Sequence, residues 1–341
     1  MFCYDNGQSR VTFYYIDVIH KLISNVNEKQ KGFSRCANDY IGRLREEGRY
    51  STAHVYQSAI FSFSKFCGTC NVSFRQITRE CLRLYEEHLC ERGLKPNTVS
   101  TYMRMIRSIY NRGVKAGNTP YVFALFHEAY TGIDVRQKKA LPLFELYKLL
   151  YEDPQSERLR RTQDIASLMF QLCGMPFVDL AHMEKSALEN NVLRYKRVKT
   201  KTIMCVEVLD SAMEKMNRLW NTREPQPNCP DYLFDILRGD RSRKDERAYR
   251  EYQSALRKFN NDLKELARVL HLKSPVTSYA LRHSWATIAK YRGVSIEMIS
   301  EALGHKSIKT TQTYLKGFGL KEQTEVNKGN LSYIKNSHSG K

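Results

Sequence analysis

Apolar residues recur at helical spacing through the first third of the chain. Tyr40-Ile41-x-x-Leu44, Val55-Tyr56-x-x-Ala59-Ile60-x-x-Phe63-x-x-Phe66, Leu82-x-Leu84-Tyr85-x-x-His88-Leu89 and Tyr102-x-x-x-Ile106-x-x-Ile109-Tyr110 each put an apolar stripe on one helix face. They predict a bundle of four helices. The breaks carry the expected punctuation: Gly48-Arg-Tyr-Ser51 before the second helix, Gly68 after it, and Gly93-Leu-Lys-Pro-Asn-Thr98 before the fourth. Helical spacing resumes over Leu141 to Tyr151 and Thr162 to Cys173, and then the period changes. Val192 to Leu209 alternates and is rich in β-branched residues, which predicts a β-hairpin turning near Thr200–Thr202. Helices return over Ser211 to Trp220, Ala248 to Leu270 and Tyr279 to Tyr291, followed by two short ones, Ser295 to Leu303 and Ser307 to Leu315. The fold class is mainly α with one small β-hairpin.

The polar, basic and weakly periodic stretch from Tyr130 to Lys139 reads as a linker. Domains usually run ~100–200 residues, so 341 residues suit two of them. The expected division is an N-terminal extension (1–33), a helical domain (34–130), a larger domain (131–320) and a polar tail (321–341) with one apolar cluster at Leu331 to Ile334. No stretch approaches the ~20 apolar residues of a membrane helix. The N-terminus lacks the charged start and apolar run of a secretory signal, so a cytoplasmic protein is expected. Nine scattered cysteines are an odd number and read as reduced thiols. Cys67-Gly-Thr-Cys70 has the spacing of half a zinc site, but no second CxxC or HxxxH follows; no metal is expected.

Charge narrows the function. Lys and Arg outnumber Asp and Glu by 55 to 36, a formal +19, and such an excess repels itself unless a polyanion offsets it. Nucleic acid is the leading partner, and an acidic membrane surface the second. Between Arg92 and His127 lie Arg92, Lys95, Arg104, Arg107, Arg112 and Lys115 with no acid; between Asn190 and Val206 lie Arg194, Lys196, Arg197, Lys199 and Lys201, again with none. Solvated helix faces usually intersperse acids among bases, and these two runs do not. Arg104, Arg107, Arg112 and Lys115 give the fourth helix a positive edge suited to a DNA groove.

The segment from Ala280 to Tyr314 carries the chemistry. It contains Leu281-Arg282-His283-x-x-Ala286-Thr287, then Gly293-x-x-x-x-x-Ile299-x-x-x-Leu303-Gly304-His305, then Thr311-x-x-Tyr314. In order and spacing this resembles the C-terminal signature of the tyrosine recombinases, the phage integrase family. The helical bundle followed by a larger helical domain with one hairpin also resembles that family, from about residue 34 to 320. The resemblance implies an N-terminal SAM-like core-binding bundle and a C-terminal catalytic domain. It also implies a 3′-phosphotyrosyl intermediate on Tyr314, double-stranded DNA as partner, and a homotetramer on two synapsed sites in the bacterial cytoplasm. Accessory DNA-bending proteins are further partners of such systems. Neither ATP nor another cofactor is implied, because the covalent link conserves the phosphodiester's energy for rejoining.

The residue types fit that chemistry on their own terms. Transesterification at phosphorus needs a nucleophile, cations around the developing charge, and an acid for the departing 5′ oxygen. Arg282 is a permanent planar cation able to bind two phosphate oxygens, and His305 can exchange a proton near neutral pH. By the resemblance, the acid is a hairpin lysine, aligned best with Lys199 and next with Lys201. His283, next to Arg282, lies on another helix face and reads as structural, and Trp285, three residues after Arg282, reads as core rather than a platform for a base.

Two positions depart from the family pattern. Pro176 stands in Cys173-Gly-Met-Pro-Phe-Val-Asp-Leu-Ala181 where a first Arg is expected, and Tyr279 stands where a His precedes the second Arg. Tyr279 is one helical turn from Arg282, so its hydroxyl is expected at the same site. Arg197 and Lys199 are two apart on the hairpin; strand alternation predicts one shared face, with Arg197 replacing the missing cation. A DNA-binding protein that has lost catalysis is the alternative these departures suggest. A type IB topoisomerase shares the chemistry, but the Leu-Arg-His to Leu-Gly-His spacing and the N-terminal bundle favour recombination.

Overall fold

The computed structural model describes residues 32–132, 140–243, 245–315 and 328, with backbone alone at Thr313 and Tyr314. The extension before Gly32, linker residues 133–139 and the tail cluster at Leu331 to Ile334 lie outside the described residues. The chain forms two compact units, residues 1–135 and 136–341.

The first unit is built from α1 (Phe33–Glu46), α2 (Tyr50–Phe66), α3 (Arg79–Glu91) and α4 (Pro96–Lys115). Each apolar stripe turns inward. Phe33, Phe63, Phe74 and Tyr85 form an edge-on aromatic cluster with ring centroids 5.9 Å (Phe33–Phe63), 5.6 Å (Phe33–Phe74) and 5.0 Å (Phe63–Tyr85) apart. Burying side chains of this size contributes ~1.5–3 kcal/mol each. Pro96 begins α4, where its missing N–H costs nothing, and the helix runs on past its last apolar residue to Lys115.

The second unit contains α5 (Leu143–Tyr151), α6 (Glu157–Gln171), α7 (Phe177–Ala181), α8 (Asp210–Arg218), α9 (Glu246–Val269), α10 (Ser278–Tyr291), α11 (Ile296–Ala302) and α12 (Ile308–Tyr314). Its sheet is antiparallel in the order β1 (Leu188–Glu189), β2 (Val192–Lys196), β3 (Ile203–Glu207). The hairpin is the predicted one; the two-residue β1 is too short to show a period. α6 is the centre, packed against α5, α8, α9 and α10. It buries Leu159, Ile165, Leu168 and Met169, and its buried Asp164 takes both arms of Arg218, at 2.9 and 2.7 Å. α6 starts at Glu157, earlier than its apolar pattern, with Ser156 as its N-cap. The short α7 was not predicted, and Phe177 anchors it by stacking on Phe259 of α9 at 4.7 Å. Among the described residues no helix is long and apolar enough to cross a membrane, and no cluster of three or more candidate metal ligands occurs.

Candidate active site

Side chains from distant segments converge on one backbone turn, Leu303-Gly304-His305. α11 ends there. Gly304 has φ +62°, its N–H donates to the Glu301 carbonyl at 2.7 Å, and the His305 N–H donates to the Ser300 carbonyl at 3.0 Å. This is a left-handed helix stop, a conformation glycine takes without strain. A Cβ on Gly304 would also fall 2.6 Å from both Arg197 Cδ and Met204 Sδ, so the hairpin can approach only a glycine.

Arg282 reaches the turn from α10, whose cap residue Thr277 accepts the Ala280 N–H. It is 3% exposed. Nη1 donates to the Gly174 carbonyl at 2.9 Å, Nη2 donates to the Leu303 carbonyl, and Nη2 also lies 3.1 Å from His305 Nε2. A guanidinium can only donate, so Nε2 presents its lone pair and the imidazole proton sits on Nδ1. That proton is donated to Thr311 Oγ1 at 2.8 Å.

Burial, then the charges of Arg282 and Arg197, then His283 and Lys199, push the His305 pKa down to about 4. The ring is therefore neutral at neutral pH. Between about pH 6.5, the value of an exposed histidine, and about 4, the unfolded chain binds the proton that folded His305 refuses, so stability falls as pH falls across that window. Melting curves from about pH 7.5 to about 4.5 should show a steeper loss of Tm for the wild type than for His305→Gln. Parallel curves would contradict the assignment.

Arg197 enters from the hairpin, though not by strand alternation. β2 ends at Lys196, so the two-residue repeat does not extend to Arg197 and Lys199: Arg197 is 5% exposed and Lys199 is exposed. Arg197 turns inward because Asp179 of α7, 2% exposed, accepts its Nε–H at 2.9 Å. Its Nη1 donates to the Leu303 and Gly304 carbonyls at 2.7 and 3.0 Å. The same carboxylate accepts the Val198 N–H at 2.8 Å, fixing the start of the turn that carries Lys199 and Lys201. Lys201 is exposed with φ +60°. Lys199 is near enough to His305 for its charge to help depress that ring's pKa.

Tyr279 is 45% exposed on α10, with its ring 5.9 Å from that of His283, one helical turn before the buried Arg282. Pro176 precedes α7 as its N-cap. Tyr314 is the last residue of α12, and its side chain lies outside the described residues.

In the first unit, a groove of about 390 Å³ is lined by Arg104, Arg107, Ser108, Asn111, Arg112 and Lys115 of α4. Arg104, Arg107, Asn111 and Lys115 are exposed along it. Arg112 differs from the expected solvent-edge cation: it is half-buried, with its guanidinium 3.6 Å from the centre of the Tyr40 ring. A guanidinium sheds water readily enough to rest on an aromatic face.

Asp179 and Thr311 were missed as site residues. Asp179 is the one acid in the apolar run from Cys173 to Ala181, a signal for a buried ion pair. Thr311 belongs to the Thr-x-x-Tyr element, whose spacing alone gave it no role.

A family model described as "Phage integrase SAM-like domain" matches residues 32–123, and one described as "Phage integrase family" matches residues 143–318. The chain is similar to the tyrosine recombinase XerD of Halalkalibacterium halodurans, 26% identical over 253 residues that cover 71% of this chain and 78% of the relative. XerD of Staphylococcus aureus is 26% identical over 249 residues, 70% and 77% of the two chains. The fold is shared with a lambda integrase dimer bound to a COC′ core site, at TM-score 0.58, 15% identity and coverage of 92% and 88%. It is shared as well with the Tn1549 transposon integrase in complex with a circular intermediate DNA, at TM-score 0.56, 14% identity and coverage of 93% and 99%.

Proposed function

The chain belongs to the phage integrase family, and from that premise we propose that it is a site-specific DNA recombinase that cuts and rejoins duplex DNA through a 3′-phosphotyrosyl link to Tyr314. The observation carrying this reading is the pair of buried guanidiniums, Arg282 and Arg197, held on the same carbonyl of Leu303 beside a neutral imidazole.

The phenol oxygen of Tyr314 attacks phosphorus, and the bond to the 5′ oxygen breaks. Arg282 and Arg197 neutralise the charge that builds on the non-bridging oxygens. As phosphate takes the N–H groups of Arg282, the Nε2 lone pair of His305 is released to accept the phenol's proton. Lys199, on its exposed turn, protonates the departing 5′ oxygen, with Lys201 as the second choice. Tyr279 contributes at most a hydrogen bond from the rim. Reversal by a 5′-hydroxyl of the partner strand restores the backbone. Arg104, Arg107 and Lys115 bind DNA phosphates, with Arg112 lining the groove from its seat on Tyr40, and affinity should fall with salt at a slope of roughly −0.9 per phosphate contacted. A homotetramer on paired sites is the assembly we infer, supported by the lambda integrase tetramer bound to a Holliday junction.

A duplex from the DNA flanking its own coding sequence, nicked so that the cut strand cannot rejoin, tests the reading. An SDS-stable adduct whose DNA-linked peptide maps to Tyr314 is expected; no adduct with any flanking sequence would refute it. In the same assay Arg197→Ala should abolish cleavage and leave binding nearly intact. That variant strands Asp179 as a buried unpaired charge, so Arg197→Met with Asp179→Asn is the control for folding. Cleavage retained in either would discard Arg197 as the replacement for the missing cation.

A further inference from the structure

Thr311 is fully buried, 0% exposed, in α12, and its hydroxyl takes the Nδ1 proton of His305. Tyr314 follows it by three residues on that helix, less than one turn on. Opposite, Arg282 holds Nε2 at 3.1 Å. The imidazole is thus clamped on both edges, by a cation from α10 and by a hydroxyl that travels with the tyrosine. Resting on the recombinase reading, we propose that Thr311 is a positioning residue for His305. It fixes the Nδ1–H tautomer.

Physical chemistry makes the hydroxyl hard to replace. Without it the Nδ1–H loses its Thr311 acceptor in a half-buried site. Moving the proton to Nε2 would point it at an Arg282 N–H, donor against donor. Either way the lone pair needed to receive the phenol's proton is lost or swings out of line. The arrangement ties the base to the helix whose last residue is Tyr314.

The test uses the full chain labelled with 15N-histidine, with the His305 signals identified by their loss in His305→Gln. The wild type should show a protonated Nδ1 whose proton exchanges slowly with water, and an unprotonated Nε2. In Thr311→Val, which keeps the shape, the protected Nδ1 proton should vanish. The cleavage rate constant at saturating DNA should fall ~10–100-fold with DNA affinity unchanged. Thr311→Ser should restore both. A wild-type rate in Thr311→Val overturns the proposal, as does a reduced rate with the Nδ1 signal unchanged, which would mark a purely structural residue. A wild type that forms no DNA adduct sinks the recombinase reading and the reaction half of this proposal together. A working wild type whose spectrum is indifferent to Thr311→Val sinks this proposal alone.

Discussion

Replacing Tyr314 by Phe removes one oxygen atom and should remove covalent DNA capture altogether, with site binding within about twofold of wild type. The aromatic ring is kept, and the cations proposed to hold DNA lie elsewhere, on α4 and around the Leu303 carbonyl. What goes is the nucleophile. Comparable deletions elsewhere cost on the order of 10⁶-fold, and the carbon left behind in Tyr314→Phe cannot form the ester at all. The measurement pairs a gel-shift titration with SDS-stable adduct formation on the nicked duplex. An adduct persisting in Tyr314→Phe would move the nucleophile to another residue and undo the assignment.

Arg282→Ala should be nearly as damaging, with single-turnover cleavage slowed by ~10³-fold or more. One preorganised donor removed from a developing charge costs ~10²–10³-fold, and this side chain offers two nitrogens as well as the charge. The loss spreads further. The Gly174 and Leu303 carbonyls each lose a buried donor, and His305 loses both the N–H that fixes its Nε2 and one of the charges that lower its pKa. Arg282→Lys should not rescue, because a single ammonium cannot span acceptors on two separate segments. Circular dichroism and melting establish that the variants are folded. Arg282→Lys within tenfold of wild type would refute the two-armed role.

The helices were legible because an amphipathic period survives tertiary packing: the stripes ending at Phe66, Leu89 and Tyr110 are the faces buried in the first unit. α7 was invisible because five residues cannot display a period. In the site, Arg282 and His305 were reached through the resemblance of their Leu-Arg-His and Leu-Gly-His elements to the family signature, and only the helix stop at Gly304 follows from local sequence. Arg197 was singled out by strand alternation with Lys199, but β2 ends before it, and a carboxylate far back in the chain, Asp179, decides its orientation. Long-range pairing of this kind leaves no period in a sequence.

The Leu303 carbonyl accepts from Arg197 and Arg282, which lie 106 and 21 positions earlier in the chain. Asp179 offsets the charge of Arg197, and only folding brings the two guanidiniums and that carboxylate together. A DNA-cutting protein that was reactive while half-folded would be a mutagen to its own host. On the proposed reading, the blade exists only when the finished tertiary structure gathers those groups, so folding itself serves as the safety catch.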